Sequence, residues 1–223
     1  MTVNHHPHDD LLLSYAAGSL SETWSLAVAS HLSFCPECRM TLDLAETVGG
    51  ILLADTADEQ MSLDALDHVL ARIEQPSSKA VSGDTRLGLD KRATVKTTFP
   101  RVLREYVGHD ADDVPWKSIG GGAYQHLIET ADKSARARLL RIEAGKPVPS
   151  HGHRGRELTL VLSGSYQDEL SLFGAGDMED VDEEIVHKPI ADTATDCICL
   201  VITDAPIRFK EWVPRLFQPM IGI

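Results

Sequence analysis

The apolar residues change period part-way along the chain, and that change constrains the fold more than any other feature. Up to about residue 75 they recur at helical spacing; from about residue 105 they gather in short alternating runs separated by turn residues. One kind of element cannot satisfy both periods, so the chain reads as α+β in two parts, a small helical bundle followed by an antiparallel sandwich or barrel. With 223 residues, 43% of them hydrophobic, there is enough apolar material for both.

In the first part, "DDLLLSYAA" places acids in the opening turn of an apolar run that stops at Gly18, which predicts a short helix. Ser21 is positioned to cap a second helix through Trp24, Leu26, Val28 and His31 towards Cys35. Pro36 then opens a third through Leu42, Leu44 and Val48, because proline lacks the N–H that a first helical turn leaves unpaired. Ser62 is placed to cap a fourth, with Leu63, Leu66, Leu70 and Ile73 at helical spacing and Pro76 beyond its end. Residues 1–75 therefore form the expected helical unit.

Periodicity lapses over residues 76–104, where seven bases stand against two acids among scattered Pro, Ser and Gly, the pattern of a linker. Residues 105–223 follow with "AYQHLIE", "ARARLLRIE", "ELTLVLSGSY" and "CICLVIT", all strand-like. "IGGGAYQ" lacks the lysine and following helix of a phosphate loop and reads as a turn before a strand. The acids Asp177, Glu179, Asp180, Asp182, Glu183 and Glu184 read as a solvated loop, and Trp24 and Trp116 as packing residues.

The net charge of −13 is unevenly spread. Residues 1–75 carry 12 Asp/Glu against two Lys/Arg (Arg39 and Arg72), whereas the rest is near balance. Direct nucleic-acid binding by the first part is disfavoured, since phosphates need a surplus of Lys and Arg; a basic protein partner suits it better. No run of 18 apolar residues offers a membrane span, and "MTVNHHPHDD" lacks the n- and h-regions of a signal peptide. The expected location is the cytoplasm. Four cysteines in two local pairs, Cys35/Cys38 and Cys197/Cys199, suit reduced thiols or metal ligands rather than a disulfide framework.

"HLSFCPECR" holds His31-x3-Cys35-x2-Cys38. On a helix His31 and Cys35 share a face, while Cys38 falls in the first turn of the next helix, where backbone N–H groups favour a thiolate. Structural zinc needs a fourth ligand, for which His6 is best placed and His5 and His8 are alternatives. Such an ion would supply folding free energy that four short helices with few aromatics lack. The order of ligands and the acidic surroundings are wrong for a DNA-reading finger.

The stretch "HHPHDDLLLSYAAGSLSETWSLAVASHLSFCPECR" resembles the zinc-binding anti-sigma domain of the ChrR type. The resemblance implies zinc held by His6, His31, Cys35 and Cys38. It further implies a helical domain that grips an extracytoplasmic-function (RpoE-like) sigma factor in a 1:1 complex and so keeps it from RNA polymerase.

"GKPVPSHGHRGRELTLVLSG" carries Gly-x5-His-x-His-x3-Glu-x6-Gly. Residues two apart share a strand face, so His151 and His153 can both point inward, with Glu157 returning to that interior after the "RG" turn and His187 following downstream. Imidazoles with a carboxylate suit Zn(II), Fe(II), Mn(II) or Ni(II). The run is similar to the first cupin motif; the second motif is only partly present, as Gly176 and His187. The resemblance implies an antiparallel cupin barrel that binds a second metal.

Cys197 and Cys199 share one strand face, as buried core thiols or as a redox pair near the metal. An anti-sigma domain followed by a cupin again resembles the ChrR type. That implies a transcriptional regulator, not an enzyme, which releases its sigma factor on singlet oxygen or related oxidative stress. The competing reading is a metal-dependent cupin dioxygenase with a helical accessory domain.

Overall fold

The computed structural model describes residues 2–74 and 97–209. Five helices come in chain order: α1 (Asp9–Ala16), α2 (Glu22–Leu32), α3 (Pro36–Ala54), α4 (Ala65–Glu74) and α5 (Arg101–Val107). After a 3-10 turn at Ala111–Asp113 the strands are β1 (Lys117–Gly120), β2 (Ala123–Ile128), β3 (Arg136–Ile142), β4 (His151–Gly152), β5 (Glu157–Ser163) and β6 (Ser165–Gln167). They continue with β7 (Leu172–Gly174), β8 (Met178–Val181), β9 (Val186–His187), β10 (Ile190–Ala191), β11 (Cys197–Thr203) and β12 (Arg208–Phe209). Among the described residues, those up to Gly49 pack with residues 97–209 into one compact unit, and a second begins at Gly50. Most of the expected linker, residues 76–96, lies outside the described residues; from Thr97 the chain is built into the first unit.

The four helices expected from periodicity are present, with Pro36 opening α3 and Ser21 at the N-cap of α2 in extended backbone. Ser21 makes no side-chain cap bond, so Glu22 in the first turn supplies the favourable charge at that end. The fate of the apolar faces differs sharply. α2 buries Leu26, Ala27, Val28 and Leu32, whereas among the buried residues of α3 only Cys38 is found. Leu44, Val48, Ile51 and Leu52 of α3 and Leu66, Leu70 and Ile73 of α4 stay exposed, Leu66 at 67%. Periodicity predicts the helices that carry those stripes, and among the described residues nothing covers them.

The β-rich part is antiparallel throughout. A six-stranded sheet has the order β1-β2-β3-β11-β5-β8, and two three-stranded sheets have the orders β10-β6-β7 and β12-β4-β9. β1 and β2 are joined across Gly120, Gly121 and Gly122, all with positive φ, so the glycine run makes a hairpin turn and not a phosphate loop. Strand alternation gives the large sheet two different faces. Leu139, Leu158, Leu160, Leu200 and Ile202 on one face join Leu26 and Val28 of α2 and Leu103 of α5 in one core. The other face turns Ile142, Val161, Cys197, Cys199 and Val201 towards Tyr166, Phe173 and Ala191 in a second core.

α5 was not legible in the sequence, being seven residues that straddle the end of the expected linker at residue 104. It is seated by Phe99, Leu103 and Val107, all buried, and by Asp110, whose carboxylate accepts the N–H groups of Thr98, Phe99 and Ala111. Each such buried side chain contributes roughly 1.5–3 kcal/mol. Polar contacts fix α2 as well. Thr23 donates to Thr130 inside the core, and Glu22 accepts from the Tyr106 hydroxyl and the Asp132 N–H.

Two candidate metal centres

At the α2–α3 junction the structure brings His6, His31, Cys35 and Cys38 together, with one ligand atom from each lying within 4.8 Å of the others. His31 Nε2 is 3.2 Å from Cys38 Sγ, and His6 Nδ1 is 3.3 Å from both sulfur atoms. His31 Nδ1 lies 3.0 Å from the Gly176 carbonyl. A carbonyl only accepts, so Nδ1 carries the proton and Nε2 turns its lone pair to the cluster. Of the alternative ligands, His5 turns instead to Ser171, Phe173 and Asp177, and His8 sits at the N-cap of α1.

The electrostatics suit a cation. Burial lowers His31 to about 4, so its imidazole is neutral. Burial, reinforced by neighbouring Cys35, pushes the Cys38 thiol up to about 12. The thiolate expected from the helix N-terminus is therefore not the metal-free state; desolvation outweighs the helix dipole, and a bound cation is what would ionise the thiol. Two thiols and two imidazoles at one point, three of the four residues buried, make a donor set that fits a tetrahedral ion.

The second cluster is His151, His153, Glu157 and His187, all buried, again with ligand atoms within 4.8 Å of one another. β4 and β9 pair His151 directly with His187, His153 follows two residues on, and Glu157 opens β5. His187 Nε2 lies 3.2 Å from His151 Nε2 and 3.3 Å from His153 Nε2. His151 Nδ1 donates to the Pro149 carbonyl, and His187 Nδ1 donates towards Asp168 and Glu179 at 3.0 and 3.2 Å. Lone pairs converging this closely need a cation between them, either a proton or a metal ion.

In the metal-free protein the proton sits on His187. Burial alone would lower it, but the hydrogen bond and charge of Glu179, with Asp168 behind them, raise it to about 9. His151 and His153 are lowered by burial to about 4 and about 3, and burial raises Glu157 to about 7. The residues therefore fit a metal with nitrogen and oxygen ligands.

Sequence reasoning missed the carboxylates behind His187. Asp177 and Glu179 are buried, and the Asp180 carboxylate, paired with Arg156, is nearly so, which corrects the solvated-loop reading for all three. β8 lies against β5, opposing Glu179 to Thr159 on the inward face, where the Tyr166 hydroxyl also donates to it. The signal was there in Met178 and Val181, two apolar residues inside an acidic run.

The cluster opens onto a cavity of about 620 Å³ lined largely by apolar side chains, with His151, Glu157 and His187 on its wall. Cys197 and Cys199 line it too, buried, their sulfur atoms 3.6 Å apart. Both clusters could thus hold a metal ion, one closed and sulfur-rich, the other nitrogen- and oxygen-ligated beside a cavity. No described helix is long and apolar enough to cross a membrane.

Three comparisons agree with this geometry. A family model described as the ChrR cupin-like domain matches residues 104–205. Anti-sigma-E factor ChrR of Cereibacter sphaeroides is 45% identical over 223 residues, spanning the whole of both chains. The crystal structure of Rhodobacter sphaeroides SigE in complex with the anti-sigma ChrR holds a chain 44% identical, with a TM-score of 0.76, covering 91% of this chain and 99% of that one. The chain, with helices ahead of a cupin-like domain, belongs to the ChrR family of anti-sigma factors.

Proposed function

We propose that this chain is a cytoplasmic anti-sigma factor, a regulator of transcription rather than an enzyme. Residues 1–75 hold an extracytoplasmic-function sigma factor away from RNA polymerase in a 1:1 complex. Residues 76–104 link them to the cupin-like residues 105–223, which receive the signal of singlet oxygen or related oxidative stress. The observation that carries this reading is likeness along the whole chain, helical and cupin parts together, to a protein named an anti-sigma-E factor and to one crystallised with SigE.

The physical chemistry supports it. The uncovered stripes of α3 and α4 offer apolar area for a partner, and the acidic excess of residues 1–75 favours a basic one. His6, His31, Cys35 and Cys38 would hold zinc, which when bound cross-links the α2–α3 junction and contributes folding free energy there. His151, His153, Glu157 and His187 would hold zinc, iron, manganese or nickel. Cys197 and Cys199 are the candidate redox pair: oxidation would join their sulfur atoms, the two protons and two electrons passing to dioxygen to give hydrogen peroxide.

The test is co-purification with candidate sigma factors, with metal analysis of the same complex. Wild type is expected to carry metal and partner together, whereas Cys35→Ala and His31→Ala lose both. Tight partner binding by metal-free protein would refute the role given to the thiol centre. The cavity beside the second cluster favours one competing reading, a cupin dioxygenase. Turnover of a small diketone by Fe(II)-loaded protein, without sigma affinity, would decide for it.

A further inference from the structure

The thiol centre is not built by helices alone, because its two histidines are held from the turn that joins β7 to β8. Gly176 gives its carbonyl to His31 Nδ1. Asp177, buried at 3%, accepts the backbone N–H of Asn4 at 2.6 Å and of His5 at 3.0 Å through one oxygen, while its other oxygen accepts from Gly174 at 2.8 Å. The Met178 N–H donates to the His5 carbonyl at 3.0 Å. Three consecutive residues thus set the tautomer of His31 and fix the backbone leading into His6. The fit leaves no slack: at Gly176, φ +95°, a Cβ would come 2.9 Å from Val3 Cγ2 and 3.0 Å from Phe34 Cβ.

β8 then reaches Glu179, two residues past Asp177, whose carboxylate is 3.2 Å from His187 Nδ1 in the second centre. β8 is also paired with β5, which begins at the ligand Glu157. One stretch, residues 174–179, therefore carries contacts behind the ligands of both centres.

We propose that this turn is a shared positioning element. Asp177 and the Gly176 carbonyl orient His6 and His31, Glu179 orients His187, and each centre feels the other through β8. Groups behind metal ligands typically change affinity 10–100-fold when removed. Coupling between two binding sites is reciprocal, so emptying the cupin centre weakens the thiol centre by the factor with which the reverse occurs. The proposal rests on the reading of both clusters as metal centres.

The experiment uses the full-length protein loaded with Co(II), in a Cys197→Ser, Cys199→Ser background. Thiolate-to-Co(II) absorption then reports Cys35 and Cys38 alone, and a chelator competed against that band measures affinity. Asp177→Ala is expected to weaken the thiol centre roughly 10–100-fold, and Asp177→Asn, which keeps an oxygen acceptor, to recover most of the loss. Glu179→Gln, which touches no ligand of the thiol centre, is expected to weaken it severalfold. Wild-type affinity in folded Asp177→Ala protein overturns the positioning role, and an unchanged band affinity in Glu179→Gln overturns the coupling; should Asp177→Ala fail to fold, Glu179→Gln decides. A parent protein with no thiolate band would instead refute the metal reading itself.

Discussion

The two clusters use the same imidazole chemistry for opposite ends. At the α2–α3 junction two sulfur atoms and two imidazoles close on one another within a stretch of 33 residues, and burial keeps Cys38 protonated until a cation arrives. In the cupin-like domain three imidazoles and a carboxylate converge, two of the imidazoles and the carboxylate on the wall of a cavity, and a carboxylate pair keeps a proton on His187. Four protein ligands, two of them sulfur, suit a closed clamp, whereas nitrogen and oxygen ligands beside a largely apolar cavity make a place small molecules can reach. The proposed roles follow that difference, structure for the first and sensing for the second.

The largest test of that contrast is Cys35→Ala against His151→Ala. The first should lower metal affinity at the thiol centre by roughly a thousandfold or more, with partner binding lost and the cupin metal retained. The second should empty the cupin centre and blunt release under singlet oxygen while leaving inhibition intact. Metal counts and partner pull-down on the same preparations read both, and a normal oxidant response in His151→Ala would end the sensory assignment.

A change on the uncovered face comes next. Leu70→Asp on α4, at a side chain 48% exposed, should cost partner affinity roughly 10–100-fold while barely moving the melting temperature. Titration calorimetry and thermal unfolding separate the two effects. If the melting temperature drops as affinity does, the stripe belongs to a core.

Proton linkage distinguishes the centres by degree. Metal must displace the Cys38 proton, held up to about 12, and the His187 proton, held up to about 9. Affinity at both should rise with pH, levelling off above about 9 at the cupin centre and continuing to climb at the thiol centre. Chelator competition across pH checks this, and a thiol centre that levels first would reverse the contrast. The smallest effect expected is that of Tyr166→Phe, which removes the hydroxyl donated to Glu179 and should cost about 1–3 kcal/mol of stability with a modest loss of cupin metal affinity. Denaturant melts with and without metal would show it.

Much of the site was legible because its ligands follow local periods. His31, Cys35 and Cys38 lie one helical turn apart or at a helix start, and His151 and His153 obey the strand period of two. The carboxylates behind His187 were not legible. Glu179 stands in a run of acids that, taken alone, is indistinguishable from a solvated loop, and only its pairing opposite Thr159 turns it inward. The exposed stripes of α3 and α4 show the converse limit, since a 3.6-residue period reports an apolar face without saying what covers it.

The sequence by itself determined four of the helices, the main strands, the switch between them and the candidate ligands that follow local periods, with the choice of His6 coming from the ChrR resemblance. Only the tertiary structure decided that α2 lies on the outer face of the large sheet, that His31 is held by a carbonyl 145 residues away, and that the cavity wall carries both thiols and imidazoles. Those contacts join segments far apart in sequence. They arise from the need to bury Leu26, Val28, Leu160 and Leu200 together and to pair polar groups that burial traps, such as His31 with the Gly176 carbonyl, conditions that no local pattern encodes.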